Sequence, residues 1–468
     1  MPERTLDAIV ADLESRAAGL EPGARLPSVR ELMAAHRVGP VTVQRAVALL
    51  AARGVVEALP GRGTFVAARA AGAAPADFAW QTVALGPRRF SDGGLEDLLE
   101  PPQPGVHLLG AGYLPADLQP LGPLSQALAR AARRPGAWDR MPLEGIAQLR
   151  GWFAAQVGGG VGESDVIVCL GGQAALAACL RGLAAPGAPV LVESPTYLGA
   201  LAAARAAGLA PVPVPTDAGG VLPDQLARAF ATTGARVFYC QPTYANPHGA
   251  VLTPERRAQV LEIARDAAAF VIEDDSFRDL ALDGDPPPPL LHGDPAGHVV
   301  HVRSLTKAAA PGLRICAVVA RGPAAARLRP ARIVEGTLVP GALQEAAVEL
   351  VTAPGWRRHL LRTRAALRER RDALLVALRS ELGVAPARPR GGMHAWVALE
   401  PHEDDVALAA RAARAGVVVW PGRPYFPAEP TGPYLRVTFA SEPPERLAAG
   451  VRLLARARQD MDDAQASR

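Results

Sequence analysis

Lys307 is where chemistry enters this sequence. The chain has 468 residues and 50 lysines and arginines, and Lys307 is the single lysine among them. A bias to arginine of this size fits genome base composition, since either residue serves surface charge. Arginine cannot lose its proton in a protein, whereas a lysine amine can, and it can then attack a carbonyl. Two further stretches bear chemistry. In GGQAALAACL, Gly171 and Gly172 close an apolar run, and Gln173 and Ala174 open a helix whose free N–H groups favour phosphate. In VIEDDSF, an apolar run ends in paired acids, Asp274 and Asp275. Such acids can cap a helix or bind a metal, and no histidine cluster in the sequence supports a metal. The four cysteines, Cys169, Cys179, Cys240 and Cys316, are far apart and form no C-x-x-C, which counts against a disulfide framework or a zinc site.

The elements around these residues alternate. Apolar runs at DVIVCL, APVLVES, ARVFYCQ, AFVIEDD, HVVHVRS and ICAVVA fit buried strands, with QAALAACLRGL, TYLGALAAARAAG and PERRAQVLEIARDAA as helices between several of them. That is the pattern of an α/β domain with a largely parallel sheet, expected over residues 105–329. From 330 to 468, the arginine-rich helical stretch WRRHLLRTRAALRERRDALLVAL precedes short strands at HAWVAL, GVVVW and YLRVTF, which predicts a smaller α+β domain. Residues 1–69 read differently. Leu6, Ile9, Val10 and Leu13 recur at helical spacing, Ser28 can cap a second helix, Pro40 opens a third, and VVEAL-PGRG-TFVAA forms a hairpin. Three helices and a hairpin describe a winged helix-turn-helix. Residues 70–104, rich in Ala, Gly and Pro, read as a linker with local structure near Trp80.

Composition bounds the function classes. Hydrophobic residues make up 49% and charged residues 21%, the balance of a globular protein, and the net charge of +4 says little about partners. Residues 1–69 hold nine arginines against seven acids, so any DNA binding there rests on where charge is placed. The first residues, MPERTLDAIV, carry charges where a signal peptide needs an apolar core, and no uncharged apolar run reaches spanning length. No membrane role and a cytoplasmic location are expected.

RSLTKAAAPGLRI resembles the S-x-x-K-x-x-x-P-G-x-R segment of type I aminotransferases, enzymes that use pyridoxal 5′-phosphate (PLP). The resemblance implies that Lys307 forms a Schiff base with the cofactor while Ser304 and Arg314 grip its phosphate. Gly172, Gln173 and Ala174 would add backbone donors to that phosphate. Tyr197 in VESPTY would stack on the pyridine ring, and Asn246 in QPTYANPHG would hydrogen-bond the ring hydroxyl. Asp274 would sit against the ring nitrogen, with Ser276 beside it, and Arg436 in YLRVTFAS would bind a ligand carboxylate. The sequence also departs from the family. Ser276 and Phe277 stand where a tyrosine commonly bonds the ring hydroxyl, His248 replaces a frequent threonine, and Arg140 takes the place of a tyrosine that the family lends to the neighbouring subunit's phosphate. These changes leave Schiff-base formation intact and count against efficient transamination.

PGARLPSVREL, TVQRAVALLAARGVV and GRGTFV, in that order, resemble the winged helix-turn-helix of GntR-family repressors. The resemblance assigns DNA contacts to Ser28, Arg30, Thr42, Gln44, Arg45 and Arg62. Arg30 opens the second helix within reach of phosphate or a guanine edge. Thr42, Gln44 and Arg45 lie early on the helix that enters the major groove, and Arg62, between Gly61 and Gly63, forms a wing tip. Gly39-Pro40 stand where related proteins often carry a polar residue and an arginine, which shifts specificity towards Arg30, Gln44 and Arg45.

A GntR-like domain joined to an aminotransferase-like domain is identified as the MocR family of regulators. The fold class expected is therefore multidomain, with a winged helix-turn-helix followed by an α/β aminotransferase-like fold and a smaller α+β domain. The resemblance implies a PLP-binding transcription factor, a homodimer on a double-stranded DNA operator, responding to an amino compound or to a B6 vitamer. Two alternatives stay open: an active aminotransferase with an appended DNA-binding domain, and a DNA-binding protein whose second domain is only a dimer scaffold.

Overall fold

The computed structural model describes residues 2–68, 77–86, 94–96 and 104–466. The chain forms two compact units, Met1–Arg88 and Arg89–Arg468. Most of the expected linker, 70–104, lies outside the described residues. Within it, a short helix, Ala79–Leu85, includes Trp80 and leaves its described side chains exposed.

The first unit follows from its apolar spacing. Helices Pro2–Ala18, Val29–His36 and Pro40–Ala52 bury Ile9, Val10, Leu13, Leu32, Val43, Ala46, Val47 and Leu50 in one core. Ser28 caps the second helix in a reciprocal box: its hydroxyl accepts from the Glu31 N–H at 3.3 Å, and its own N–H donates to the Glu31 carboxylate at 2.7 Å. Strands β1 (Val56–Leu59) and β2 (Gly63–Val66) pair antiparallel, Val56 opposite Val66 and Leu59 opposite Gly63. Gly61 and Gly63 have φ of 73° and 118°, the left-handed region that the tight turn at Arg62 demands.

The second unit is built on an eight-stranded sheet. In chain order its strands are β4 (Val166–Cys169), β5 (Pro189–Ser194), β6 (Ala210–Asp217), β7 (Gly220–Val221), β8 (Val237–Cys240), β9 (Phe270–Asp274), β10 (Val299–Ser304) and β11 (Cys316–Val319). An additional short strand, β3 (His107–Leu108), precedes them and belongs elsewhere. The spatial order is β4-β11-β10-β9-β8-β5-β6-β7. From β10 to β6 neighbours run parallel, and β11 is reversed between β10 and β4. β4, β8, β10 and β11 are buried along their whole length, because helices cover both faces of the sheet. This geometry brings the C-terminal ends of β4, β5, β8, β9 and β10 to one edge, where open α/β sheets hold their ligands.

A second, smaller sheet follows. β12 (His394–Ala398), β14 (Trp420–Pro421) and β15 (Tyr434–Thr438) pair antiparallel around β15, and in a separate two-stranded sheet β13 (Val417–Val418) pairs parallel with β3. The chain segment at 107–109 therefore joins the C-terminal elements: the Thr438 N–H donates to the Leu109 carbonyl at 2.7 Å. Helix Gly322–Gly336, with Pro330 inside it, runs through the boundary expected at 329/330, and the 29-residue helix Pro354–Leu382 follows. No helix among the described residues is long and apolar enough to cross a membrane. All four cysteines are free and buried.

Several arginines work inside the second unit as clamps on carbonyl oxygens. Buried Arg257 donates to the carbonyls of Leu252, Pro288 and Pro242 and to the Thr243 hydroxyl, at 2.8–3.1 Å, which fixes the loop after β8. Arg371, fully buried, bonds the Pro389 carbonyl and pairs with Asp283 and Asp372. An ammonium cannot reproduce such a fork. Arg257→Lys is expected to lose at least two of these bonds and about 2–4 kcal/mol of stability. Calorimetry should detect this as a lower unfolding midpoint for the second unit, and an unchanged midpoint would mean that the clamp carries no weight.

Candidate functional site

The converging edge gathers most of the residues that the sequence marks. Asp274 ends β9 and is buried, accepting hydrogen bonds from the Tyr239 hydroxyl and the Gln241 amide at 2.9 Å each and from the Ser276 hydroxyl. Burial raises its carboxyl above the ordinary range, against the pull of those three donors. Gln241 is a junction. Its side-chain oxygen accepts from the Asn246 N–H at 2.9 Å, and its own N–H donates to Glu193 at 2.8 Å. Burial pushes the Glu193 carboxyl up to about 7.

Helix Gly172–Leu183 points its N-terminus at this edge, where the first N–H groups, Gly172, Gln173 and Ala174 among them, lack intrahelical acceptors. Gly171 has φ of 84°, and a Cβ there would collide with the Arg314 guanidinium. That guanidinium donates to the Leu170 carbonyl at 3.1 Å, which holds it against the helix start. Ser304, at the end of β10, shares a 2.8 Å hydrogen bond with Thr306. Tyr197 precedes helix Leu198–Ala206 and donates to the Gln173 side-chain oxygen at 3.4 Å, while the Gln173 amide donates to the Gly199 carbonyl. Backbone donors, a hydroxyl and a guanidinium thus surround a cradle for phosphate, with an aromatic ring, a carboxylate and an amine beyond it. The residues fit PLP.

The Lys307 amine donates to the Gly112 carbonyl at 2.7 Å and lies 3.9 Å from the Tyr113 ring centroid. Burial lowers its pKa from 10.5 to about 7, the charges of Arg436 and Arg314 add to the drop, and Asp274 opposes it. Arg436, on β15 and fully buried, donates to the Gly110 carbonyl at 2.6 Å and reaches Asn246 Oδ1 at 3.4 Å. One strap, Gly110–Tyr113, therefore receives bonds from both the amine and the guanidinium. Gly110 is required there, because a Cβ would lie 2.6 Å from Trp420 Nε1.

Several of these groups had no signal in the sequence. Tyr113 follows β3, His394 opens β12 and Tyr425 ends a 3-10 turn after β14, so these three reach the site only through tertiary placement. Gln241 could have been noticed as the polar residue ending a buried strand just before QPTYANPHG's proline. Phe277, in place of the expected tyrosine, is buried with its ring 5.8 Å from the Lys307 amine. Arg140 is exposed, and His248 is held near a pKa of about 4 by burial. Behind Asp274, the buried trio Glu273, Asp275 and His301 could in principle hold a metal. Glu273 is committed, accepting from His301 and from the N–H groups of Leu290 and Leu291, and Asp275 pairs with Arg278, while Asp275 Oδ1 and His301 Nε2 have no hydrogen-bond partner. Burial opposes the Glu273 charge, but the His301 ring and the Leu290 N–H outweigh it and hold the carboxyl below its usual range.

In the first unit, Arg30, Gln44, Arg45 and Arg62 are exposed, Thr42 and Ser28 are half-buried, and Ser28 is engaged as the helix cap. Val41 is 74% exposed in the first turn of helix Pro40–Ala52. It was not singled out in the sequence, and an apolar side chain at such a position suits a thymine methyl.

Comparison with known proteins matches residues 142–454 to the model of aminotransferase class I and II and residues 3–66 to that of bacterial regulatory proteins of the gntR family. An uncharacterized HTH-type transcriptional regulator, YdfD of Bacillus subtilis, is 27% identical over 92% of this chain and 90% of its own length. The vitamin B6 salvage pathway transcriptional repressor PtsJ of Salmonella typhimurium is 29% identical over 89% of each. The crystal structure of LysN, an α-aminoadipate aminotransferase of Thermus thermophilus complexed with N-(5′-phosphopyridoxyl)-L-leucine, superposes with a TM-score of 0.74 at 30% identity, covering 80% of this chain and 98% of that one.

A lone lysine permits a single-site titration. Reductive methylation of the cofactor-free protein, followed on the peptide that contains Lys307, should accelerate with a midpoint near pH 7, because the amine is neutral above that pH. In Asp274→Asn the midpoint should fall, since the carboxylate favours the charged amine. A midpoint near 10 in the native protein would contradict the desolvated site.

Proposed function

Since the chain belongs to the aminotransferase class I and II family and carries a gntR-type DNA-binding domain ahead of that fold, the MocR architecture, we propose that it is a PLP-dependent transcriptional regulator. Its effector is an amino compound bearing a carboxylate, or a B6 vitamer, and its target is a double-stranded operator bound by a homodimer in the cytoplasm. The observation that carries this reading is the enclosed Lys307 amine, poised near neutrality beside Asp274, in one chain with a winged helix that has Arg30, Gln44 and Arg45 free.

The cofactor is PLP. When bound, it supplies an aldehyde for an amine and a ring that withdraws electrons. Lys307 would hold it through its amine. The N–H groups of Gly172, Gln173 and Ala174, with Ser304 and Arg314, would hold its phosphate. Asp274, oriented by Ser276, Tyr239 and Gln241, would keep a proton on the ring nitrogen. Asn246 would bond the ring hydroxyl and Tyr197 would cover the ring face. Arg436 takes the effector carboxylate in a bidentate pair, for which it must release the Gly110 carbonyl.

That exchange supports a route for the signal. An incoming amino compound that engages Arg436 through its carboxylate draws the guanidinium off the Gly110 carbonyl, in the strap Gly110–Tyr113 that the free Lys307 amine also bonds. The strap continues from β3, the first strand after the segment that leads from the DNA-binding unit. Freeing it biases a two-state arrangement, and by linkage the operator must alter effector affinity in return. On DNA, Thr42, Gln44 and Arg45 read the major groove, Arg30 reaches a phosphate or a guanine edge, and Arg62 contacts the backbone, with Ser28 fixing the helix that carries Arg30.

The rival reading, an aminotransferase with an appended DNA-binding domain, draws on the same Lys307–Asp274 pair. Phe277 and Arg140, in place of two tyrosines, weigh against efficient turnover. Lys307→Ala should fold normally, lose PLP on dialysis, and bind operator without responding to amino compounds. Full effector response in that variant would remove covalent cofactor chemistry from the switch. Turnover of an amino-acid and oxo-acid pair, with DNA binding indifferent to both, would favour the enzyme. On the DNA side, Arg45→Ala should relax sequence preference, whereas Arg62→Ala should weaken all sequences alike and reduce the salt slope by about 1. Equal behaviour of the two variants would undo the division between base and backbone contacts.

A further inference from the structure

Buried polar atoms without partners cost free energy, so a group of them on one surface marks where a ligand completes the hydrogen bonding. One such group surrounds Arg436. Arg436 Nε, the Tyr425 hydroxyl, the Thr196 hydroxyl and both ring nitrogens of His394 are buried and unpartnered. They are contiguous. The Arg436 guanidinium lies 5.3 Å from the Tyr425 ring centroid, and the Thr196 N–H donates to the Tyr425 carbonyl at 2.8 Å. His394 belongs to the same face: Trp396 pairs with Arg436 across β12 and β15, and His394 is two residues from Trp396.

The recognition already assigned leaves His394 over. Arg436 takes the carboxylate, Lys307 the amine position, and the cofactor is held by other residues. His394 is 4% exposed and feels the charges of both Arg436 and Lys307, with its ring edge-to-face on Phe277 at 5.8 Å, and Phe277 is itself 5.8 Å from the Lys307 amine. We propose that His394 is a specificity-determining residue that donates its ring N–H to an oxygen on the effector side chain, so that the site selects α-amino acids with a hydroxyl, amide or carboxylate over aliphatic ones. This rests on the amino-compound reading above.

The surroundings fix the sign of the preference. Burial and the nearby charges of Arg436 and Lys307 keep the imidazole well below its usual pKa, so it is neutral, with one N–H to give. The Arg436 guanidinium disfavours an ammonium on the ligand side chain and favours an electron-rich oxygen there. A site built around a buried donor penalises the analogue that cannot accept from it, because the donor is then left unpaired.

The test is calorimetric binding to the PLP-loaded full chain of three near-isosteric pairs of increasing length: L-serine against L-2-aminobutyrate, L-homoserine against L-norvaline, and L-glutamine against L-homoleucine. The wild type should prefer the oxygen-bearing member of at least one pair by about tenfold or more. In His394→Phe that ratio should fall to near unity, with the aliphatic member binding no more weakly than before. The cofactor-free His394→Phe protein should melt at or above the wild-type temperature, since an unsatisfied polar ring is replaced by an apolar one. His394→Leu provides the same comparison if phenylalanine does not fit. An unchanged ratio in the variants, or a wild-type preference for the aliphatic member, overturns the assignment of His394 and leaves the regulator reading standing. A wild type that binds none of the six compounds overturns the amino-compound reading, and the assignment with it.

Discussion

An amine that must be neutral near pH 7 has to be taken out of water, and the second unit is organised around that requirement. Removing one ammonium from solvent is costly unless fixed charges compensate it. Here Asp274 favours the proton on Lys307, Arg436 and Arg314 oppose it, and the balance lies close to neutrality. Each of these charges needs support of its own. Asp274 draws on three donors, Arg314 on the Leu170 carbonyl and Arg436 on Gly110. The parallel sheet delivers the carboxylate and the phosphate cradle to one edge, and the smaller sheet delivers the guanidinium from the opposite side. Neither sheet alone makes the site.

That division explains what could be read from the sequence. Lys307 and Asp274 stand out by residue chemistry at strand ends of the large sheet, while Asn246, Ser304 and Arg314 are legible through short motifs of the family resemblance. The parallel order of β10 to β6 was likewise implied by the alternation of apolar runs and helices. Arg436 was recognised through its family resemblance, since nothing local distinguishes it from a surface arginine. His394, Tyr425 and Tyr113 act through tertiary placement alone, and no period or motif announces them. By composition alone, the abundance of arginine reads as base composition and surface charge. Arg257, Arg332 and Arg371 instead sit inside and bond backbone carbonyls. Sequence statistics cannot separate those uses, because a buried fork and a solvated one are spelled alike.

The first unit was more fully readable because its stability is local. A capping box, a proline at a helix start and a two-strand turn each occupy a few consecutive residues, so their signals survive without tertiary information. What escaped notice was Val41. The substitution of Gly39-Pro40 for longer side chains was read only as a loss of polar contacts. It also leaves an apolar side chain, Val41, standing out from the first turn.

The four buried thiols set a limit on what the regulator can sense. Burial raises Cys169 to about 12 and pushes Cys179, Cys240 and Cys316 well above the usual thiol value. A thiol that stays protonated inside a packed sheet neither attacks a peroxide nor exchanges with a disulfide. While folded, this unit therefore presents no reactive thiolate, and its four cysteines serve as small apolar filling of the core.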